Sequence, residues 1–312
     1  MRIGLIGAGG ISATHARAAR AIEGVETVGV FGGNREKAAA LAHEHGGAAC
    51  ESLDALLAIP MDVVLIGSPS GLHAEQAIAA SRRGVHVLLE KPVDTTTAKI
   101  DDLIAAADRA RVKVGVFFQD RLTPDLLDMK RAIDAGEIGA PVGATGRVMW
   151  YRPREYYENS RWRGTWKLDG GGALMNQAIH TVDTLQWLLG PVARVCGWTD
   201  RRLHRIEVED TAAALLQFES GAFGVVEAST AAFPGLPRRI EVSGTKGTLA
   251  HEQEARSAQV ADATPHQRVL EDFIRAIQWD VDPACSAREG RKSVAIVEAV
   301  YRSAQSQQWE QP

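Results

Sequence analysis

Short apolar runs and longer amphipathic stretches alternate along the first 120 positions of the chain. The apolar runs are typical of strands buried on both faces, and they lie at 2–6, 25–31, 62–66, 85–89 and 113–117. Apolar residues with helical spacing predict helices between them, at 11–22, 36–45, 72–83 and 96–110. Strands separated by helices of this length make right-handed crossovers, so the pattern predicts a parallel sheet with helices on both faces.

The pattern changes after about residue 120, where strands with period-two alternation follow one another. These strands are expected at 144–151, 192–199, 211–218, 223–231 and 239–243, and helices at 124–135, 172–189, 266–278 and 287–303. Tight turns between the strands, such as the one at 219–221, predict an antiparallel or mixed sheet. We therefore expect an α/β fold, with a doubly wound parallel sheet in 1–120 and an open, mostly antiparallel sheet in 121–312. The last helices could pack back on the first domain.

Composition and charge narrow the class of protein. The 312 residues exceed what one hydrophobic core usually holds, about 250–300 residues. A formal net charge of -4 argues against nucleic acid as a partner. The apolar run at 3–8 is too short and too glycine-rich for a signal peptide, and no membrane span is expected. Cys50, Cys196 and Cys285 lie far apart, so we expect free thiols, no metal site and a cytoplasmic location.

A glycine-rich turn joins the first predicted strand to the first predicted helix. Its sequence, Gly7-Ala8-Gly9-Gly10-Ile11-Ser12, has the spacing of a dinucleotide-binding turn. Gly7 permits the tight turn, Gly9 lets a pyrophosphate approach the backbone, and the small Ser12 lets the helix lie close to the strand. The helix N-terminus then offers free N–H groups to the phosphates. A merely tight strand–helix turn is the alternative interpretation.

The end of the second strand usually carries an acidic residue that binds the ribose hydroxyls. This chain has Asn34 and Arg35 there, which could accept a 2′-phosphate instead. The pair therefore favours NADP over NAD, although Arg35 could equally be a solvated residue in the first turn of a helix.

Three further segments give the strongest indication of the protein's family. Residues 67–75, with Ser68, Pro69 and His73, follow the strand at 62–66, and Glu90-Lys91-Pro92 ends the strand at 85–89. A glycine triplet at 170–172 precedes His180 by eight residues. Together with the N-terminal turn, these segments resemble the glucose–fructose oxidoreductase / inositol dehydrogenase / rhizopine-catabolism (Gfo/Idh/MocA) family, and the resemblance covers essentially the whole chain.

The resemblance implies a Rossmann domain followed by an α/β domain whose open sheet often forms the subunit interface, and hence a homodimer or homotetramer. It implies that Lys91 lies beside the nicotinamide, with a cis bond to Pro92, and that His180 faces the substrate carbon. Taken alone, Lys91 could form a surface ion pair with Glu90, and His180 could be a structural histidine. The expected cofactor-binding residues are Gly7, Gly9, Gly10, Ile11, Ser12, Asn34, Arg35, Ser68, Pro69, His73, Glu90 and Lys91.

The chain departs from the commonest family pattern four residues before His180, where Asn176 replaces an aspartate. An amide cannot act as a base, but it can bind a sugar hydroxyl as donor and acceptor. We expect His180 to be the base, Lys91 to be an electrostatic helper and proton relay, and Asn176 to orient the substrate.

The loop at 150–166 is rich in arginine and aromatic residues. Arginines bind carboxylates or phosphates with two hydrogen bonds, and aromatic faces pack on sugar rings. We expect Arg163, Trp166 and Tyr157 to form part of the substrate-site wall, with interface or core packing as the alternative for each.

The predicted function is hydride transfer between NAD(P) and a secondary alcohol or anomeric carbon of a sugar, sugar acid, nucleotide-sugar or cyclitol. A dinucleotide-binding regulatory protein of the same fold, without catalysis, is the alternative. A transferase or hydrolase that uses the cofactor for transient redox chemistry is a third interpretation.

Overall fold

The computed structural model describes residues 1–254 and 262–312. These described residues form two compact units: 1–122 with 262–290, and 123–254 with 291–312. Among the helices of these described ranges, none combines the length and the apolar composition needed to cross a membrane.

Strands and helices alternate in the first part of the chain, as the hydrophobic pattern predicts. They are β1 (Arg2–Ile6), α1 (Gly10–Arg20), β2 (Glu26–Phe31), α2 (Arg35–His45), β3 (Ala48–Cys50), α3 (Leu53–Leu57), β4 (Val63–Ile66), α4 (His73–Ser81), β5 (His86–Leu89), α5 (Thr97–Ala110) and β6 (Val114–Val116). The elements that follow are α6 (Pro124–Asp134), β7 (Pro141–Met149), α7 (Glu155–Glu158), α8 (Ile179–Leu189), β8 (Val192–Asp200), β9 (Thr211–Phe218), β10 (Phe223–Ser229), β11 (Arg238–Gly244), β12 (Thr248–Gln253), α9 (Thr264–Gln278) and α10 (Ala287–Ser306).

The sheet of the first unit has the order β3-β2-β1-β4-β5-β6, and every pairing in it is parallel. This order places the topological switch point between β1 and β4, where ligands bind at the carboxyl ends of the strands. The late helix α9 is part of this unit's core: a side chain on Gly115 would collide with the ring of Phe273 on α9. The predicted doubly wound parallel sheet is therefore confirmed.

The sheet of the second unit has the order β12-β11-β7-β10-β9-β8. Of its pairings in the described chain, β10 with β7 is parallel and the others are antiparallel, so the prediction of a mostly antiparallel sheet is confirmed. Helix α8 covers one face, where Gly146 of β7 lies against Thr181 and Leu185. The opposite face exposes Trp198, Leu215 and a further aromatic side chain, Phe223.

The prediction of one α-helix over 172–189 was wrong for its first part. The chain is π-helical over Ala173–Ala178 and becomes α-helical only in α8. Wider π-helical turns are rare and frequently occur at functional sites. Four short or exposed elements, β3, α3, α7 and β12, were not predicted, because they have little hydrophobic pattern of their own.

Candidate active site

The glycine-rich turn lies at the switch point of the parallel sheet. Gly7 has a φ of +115°, and a Cβ atom there would lie 2.7 Å from both the backbone oxygen of Gly67 and the Oγ of Ser12. Gly7 follows β1 and Gly67 follows β4, so the ends of the two strands approach each other at this point. Only glycine fits position 7, as the dinucleotide-binding interpretation requires.

The neighbouring glycines are open to solvent. Gly9 and Gly10 are exposed, and a Cβ atom on either would meet nothing within 4 Å. Gly9 is the N-cap residue of α1 and provides no side-chain cap, and the buried Oγ of Ser12 has no hydrogen-bond partner in the described chain. An uncapped helix N-terminus beside a bare backbone is suited to bind a pyrophosphate, so these residues fit a dinucleotide. Ile11, at the second position of α1, is half-buried.

Asn34 and Arg35 begin α2. The side chain of Asn34 accepts a hydrogen bond from the N–H of Lys37 at 2.9 Å and so caps the helix, while Arg35 is exposed in the first turn. The cap gives Asn34 a structural reason to be there, and the preference for NADP stays a prediction.

His73 joins the two other segments expected near the cofactor. Its Nδ1 lies 2.9 Å from the backbone oxygen of Pro92, and its Nε2 lies 2.9 Å from the backbone oxygen of Ser68. The bond between Lys91 and Pro92 is cis, as the family resemblance implies. His73 is buried, so it holds the turn after β4 against the turn after β5. Pro69 precedes the single helical turn Ser70–Leu72.

Glu90, directly before Lys91, lies in a buried cluster with two histidines. Its Oε1 accepts a hydrogen bond from Nε2 of His15 on α1 at 2.9 Å, and Nε2 of His266 on α9 lies 3.3 Å away. The ring of His15 stacks on Phe117 with centroids 4.4 Å apart. Burial lowers the pKa of His15, whereas the hydrogen bonds and charges of the two histidines outweigh burial and hold the pKa of Glu90 well below its usual value. A buried carboxylate is thus anchored by two imidazoles next to Lys91.

The same three residues are of types that bind divalent cations, and their ligand atoms lie within 4.8 Å of one another. Two features disagree with a metal site. The 2.9 Å separation between His15 and Glu90 is that of a direct hydrogen bond. Among the described residues, the Nδ1 atoms of His15 and His266 also have no hydrogen-bond partner of the kind that usually orients a metal-binding imidazole.

In the second unit, the glycine triplet packs under Glu209 and Tyr301. A Cβ atom on Gly171 would overlap the hydroxyl of Tyr301, and one on Gly172 would overlap the backbone oxygen of Glu209. The triplet therefore allows these two residues to approach the start of the helical segment.

Asn176 lies in a network of polar side chains. Its Nδ2 donates to Oδ1 of Asp169 at 2.5 Å, and its Oδ1 accepts from Nε2 of Gln177 at 2.6 Å. Asp169 is 1% exposed and also accepts from the N–H of Gly164 at 2.8 Å. The carboxylate that the common family pattern has at position 176 is therefore present one side chain away, on Asp169.

Two arginines pack around one tyrosine ring in the loop before the triplet. The guanidinium carbon of Arg163 lies 4.3 Å from the ring centroid of Tyr156, and that of Arg152 lies 5.4 Å from it. Arg152 donates to Oε1 of Gln177 at 2.9 Å, and Nε2 of Gln177 donates to the hydroxyl of Tyr156 at 2.9 Å. Through Gln177, which also contacts Asn176, this arginine–tyrosine stack is connected to the helical segment that carries His180.

The remaining predicted site residues have different surroundings. Trp166 is 47% exposed and packs edge-on against Tyr301, with centroids 5.3 Å apart. Tyr157 is buried, and its hydroxyl lies 2.9 Å from Oγ1 of Thr230. Burial raises the pKa of Tyr157, so this phenol stays neutral within the core. Lys91 is half-buried in the first unit and His180 is buried in the second, and their catalytic roles stay predictions.

Sequence reasoning did not select several residues that form these networks: Arg152, Tyr156, Asp169, Gln177, Glu209 and Tyr301. The loop residues had a usable signal, because arginines and aromatic residues are concentrated in 150–166. Glu209 and Tyr301 had none, since each lies far along the chain from the triplet that it contacts.

Known protein families match both halves of the chain. The oxidoreductase family with an NAD-binding Rossmann fold matches residues 1–118, and the GFO/IDH/MocA C-terminal domain matches residues 126–250. The chain belongs to the Gfo/Idh/MocA oxidoreductase family. It is therefore an oxidoreductase with a nicotinamide-dinucleotide-binding Rossmann domain, as the sequence predicts.

Individual members are similar over nearly their whole length. The inositol 2-dehydrogenase of Rhizobium meliloti (strain 1021) is 29% identical, over 97% of this chain and 96% of the relative. The myo-inositol 2-dehydrogenase of Thermotoga maritima is 27% identical, over 97% and 96%. Among solved structures, the WlbA dehydrogenase from Bordetella pertussis in complex with NADH and UDP-GlcNAcA is 35% identical, covers 100% of this chain and 98% of its own, and has a TM-score of 0.92. The relatives are sugar and cyclitol dehydrogenases.

Proposed function

We propose that this oxidoreductase transfers a hydride between a nicotinamide dinucleotide and a secondary alcohol of a nucleotide-linked sugar acid. Two observations support the substrate class. The WlbA dehydrogenase, 35% identical over the whole chain, binds UDP-GlcNAcA, a nucleotide-linked sugar acid. The arginine–tyrosine stack of the second unit also carries the positive charge that an anionic substrate requires.

The proposal depends mainly on the absence of an anionic partner for Arg163 among the described residues. In the part of the chain that the structure describes, no ion pair involves Arg163, and its buried Nε has no hydrogen-bond partner. A guanidinium that stacks on Tyr156 but has no anion is ready to bind a carboxylate or phosphate with two parallel hydrogen bonds. Neutral cyclitols, the substrates named for the inositol dehydrogenase relatives, would leave this charge unpaired.

The proposed chemistry uses few groups. The turn from Gly7 to Ser12 would hold the dinucleotide, which would supply the hydride acceptor for the carbon that carries the reacting hydroxyl. His180 takes the hydroxyl proton as general base, and Lys91 stabilises the developing negative charge on the oxygen and relays the proton. Asn176 orients the substrate through hydroxyl hydrogen bonds, while Arg163 and Trp166 line its site; Tyr157, which is buried in the core, supports the loop from behind.

The test is a substrate panel with each dinucleotide, followed by the absorbance of the reduced nicotinamide. We expect turnover of UDP-GlcNAcA and weak or no turnover of the corresponding neutral UDP-sugar, of free sugars and of inositols. Arg163→Ala should raise KM for the sugar acid by roughly 10- to 100-fold, the effect of losing one charge-assisted contact of about 1.5–3 kcal/mol. Arg163→Lys, which keeps the charge without the planar fork, should recover part of that loss.

Two results would contradict the proposal. One is a preference for inositols over every nucleotide-linked sugar acid. The other is dinucleotide binding with no turnover of any substrate, which would favour the regulatory alternative.

We also propose, from Arg35 and Asn34, that the chain prefers NADP. Arg35→Ala should then raise KM for NADPH while leaving KM for NADH nearly unchanged. A tenfold preference of the unmodified protein for NADH would overturn this part alone.

The open sheet of the second unit supports a homodimer or homotetramer. Leu215 of β9 lies opposite Cys196 of β8 and Val225 of β10, so these side chains share the outer face of the sheet. Trp198 and Phe223 lie on the same face, and both are about half exposed, at 45% and 54%. Contiguous exposed apolar side chains are typical of an interface. We propose that a second copy of the chain covers them.

A further inference from the structure

One carboxylate holds the start of the helical segment that carries Asn176 and His180. The N–H groups of Gly172 and Leu174 donate to Oε2 and Oε1 of Glu209 at 3.0 and 2.8 Å. The N–H of the intervening residue 173 donates to the backbone oxygen of Glu209 at 3.0 Å. The first N–H groups of a helix have no acceptor within the helix, so Glu209 satisfies three of them in succession.

The carboxylate of Glu209 is buried. Glu209 is 4% exposed, and its Oε1 also accepts a hydrogen bond from the hydroxyl of Tyr301 on α10 at 3.0 Å. The carboxylate of Asp210, next along the chain, is directed to a different backbone turn, where it accepts from the N–H groups of 202–204. Asp169 is close enough to help raise the pKa of Tyr301. In the described chain, the titratable groups near Glu209 thus include Tyr301 in direct contact, Asp210 as its neighbour in sequence, and Asp169 near Tyr301.

We propose that Glu209 is a positioning residue: its ionised carboxylate fixes the backbone from Gly172 to Leu174, and with it Asn176 and His180, and its protonation weakens that hold. A carboxylate oxygen accepts only, whereas a protonated carboxyl group carries a hydroxyl that must donate. The N–H groups of Gly172 and Leu174 can only donate, so the new proton could be accepted only by the Tyr301 hydroxyl, and a neutral carboxyl group accepts from the two N–H groups more weakly than a carboxylate does.

The pKa of Glu209 lies near neutral pH. Burial raises its pKa to about 7, against the opposing effect of the hydrogen bonds from Leu174, Gly172 and Tyr301. The carboxyl group therefore changes its charge near neutral pH, and the hold on the helix start changes with it.

Hydrogen–deuterium exchange of the peptide that spans 170–180 tests the proposal without requiring turnover. Exchange is measured about one unit below and about one unit above the pKa of Glu209 and corrected for the intrinsic rate. We expect protection in the unmodified protein at the higher pH and its partial loss at the lower. Glu209→Gln should exchange about tenfold faster at the higher pH, the effect of one lost hydrogen bond. Glu219→Gln, in the exposed β9–β10 turn, is the matched control and should behave as the unmodified protein.

Tyr301→Phe provides a second arm in case Glu209→Gln does not fold. It removes one donor to the carboxylate, so the pKa of Glu209 should rise and protection should be lost at a higher pH than in the unmodified protein. Exchange that is independent of pH in the unmodified protein, or unchanged in both variants, would overturn the proposal.

The kinetic arm rests on the proposed function. With a turned-over substrate, the acid limb of the kcat–pH profile should move to higher pH in Tyr301→Phe. KM for the dinucleotide should not change, since the glycine-rich turn belongs to the other unit. A merely structural Glu209 would lower stability without moving the limb, and that result would also overturn the proposal. If no sugar is turned over, the proposed function fails, while the exchange measurements still decide the role of Glu209.

Discussion

The buried cluster of Glu90 with His15 and His266 permits a quantitative prediction. His15→Leu removes the N–H that donates to Glu90 at 2.9 Å but keeps an apolar side chain against Phe117. Removing one partner of a buried charge costs about 3–5 kcal/mol, and we expect the lower end, about 3 kcal/mol, because His266 remains beside the carboxylate. In a Glu90→Gln background the same substitution should cost only about 1 kcal/mol, the usual contribution of a neutral hydrogen bond.

The assay is chemical denaturation of the four proteins of this double-mutant cycle. Far-UV circular dichroism follows both units, while tryptophan fluorescence follows mainly the second, because Trp279 is the only one of the seven tryptophans in the first. The loss of stability caused by His15→Leu should therefore be visible in the unfolding curve followed by circular dichroism. An equal cost of His15→Leu in both backgrounds would refute the reasoning, because the two side chains would then not be coupled.

The pH dependence of this cluster follows from the two pKa directions. The pKa of His15 is lowered from 6.5, so below that pH the unfolded chain takes up a proton that the folded chain does not, and stability falls. The pKa of Glu90 is depressed well below 4.5, so its contribution is present above that value and is lost as the pH falls further. The stability difference between the unmodified protein and His15→Leu should therefore narrow on acidification below about pH 6.5.

Three further substitutions test other parts of the structure. In Gly9→Ala the added methyl group meets no neighbouring atom, so the melting temperature should stay unchanged. The dissociation constant for the dinucleotide should rise at least tenfold, and tight binding by this variant would disprove the role of the turn. Gly172→Ala places a methyl group on the backbone oxygen of Glu209, so the soluble yield and the helical signal in circular dichroism should fall sharply. A variant of normal stability would show that the segment can move aside. Leu215→Asp on the exposed sheet face should convert an oligomer to monomer in sedimentation without unfolding it, and an unchanged mass would place the interface elsewhere.

Local patterns predicted the parts of the fold that have strong hydrophobic periodicity. Strand β4 is an uninterrupted apolar run, and β1 and β5 are apolar after their first residues, Arg2 and His86. The spacing of the glycines between Gly7 and Ser12 likewise predicted a tight turn. The short strand β3 is largely exposed and alanine-rich, so its apolar pattern is too weak to reveal it. The π-helical start of the segment at 173–178 was also beyond prediction, because its first N–H groups bond to Glu209, a residue more than thirty positions away.

The candidate site was likewise predicted only in part. Sequence motifs selected Lys91, His180 and Asn176, which lie in or beside recognisable segments. The partners that hold these segments, such as Asp169 and Glu209, have ordinary surroundings in the sequence and become visible only when the chain is folded. A motif shows where a reactive side chain is, but its electrostatic environment depends on residues brought to it from elsewhere.

The order in which the chain builds its two units limits how the protein can be divided. A gene truncated after β6 would encode every strand of the parallel sheet but not α9, whose Phe273 ring lies against Gly115 and whose His266 lies against Glu90. Such a fragment would expose apolar surface and an unbalanced carboxylate, and we expect it to aggregate. A dinucleotide-binding fragment suitable for spectroscopy would instead require a design that splices 262–290 directly after residue 122, with a short linker in place of the second unit.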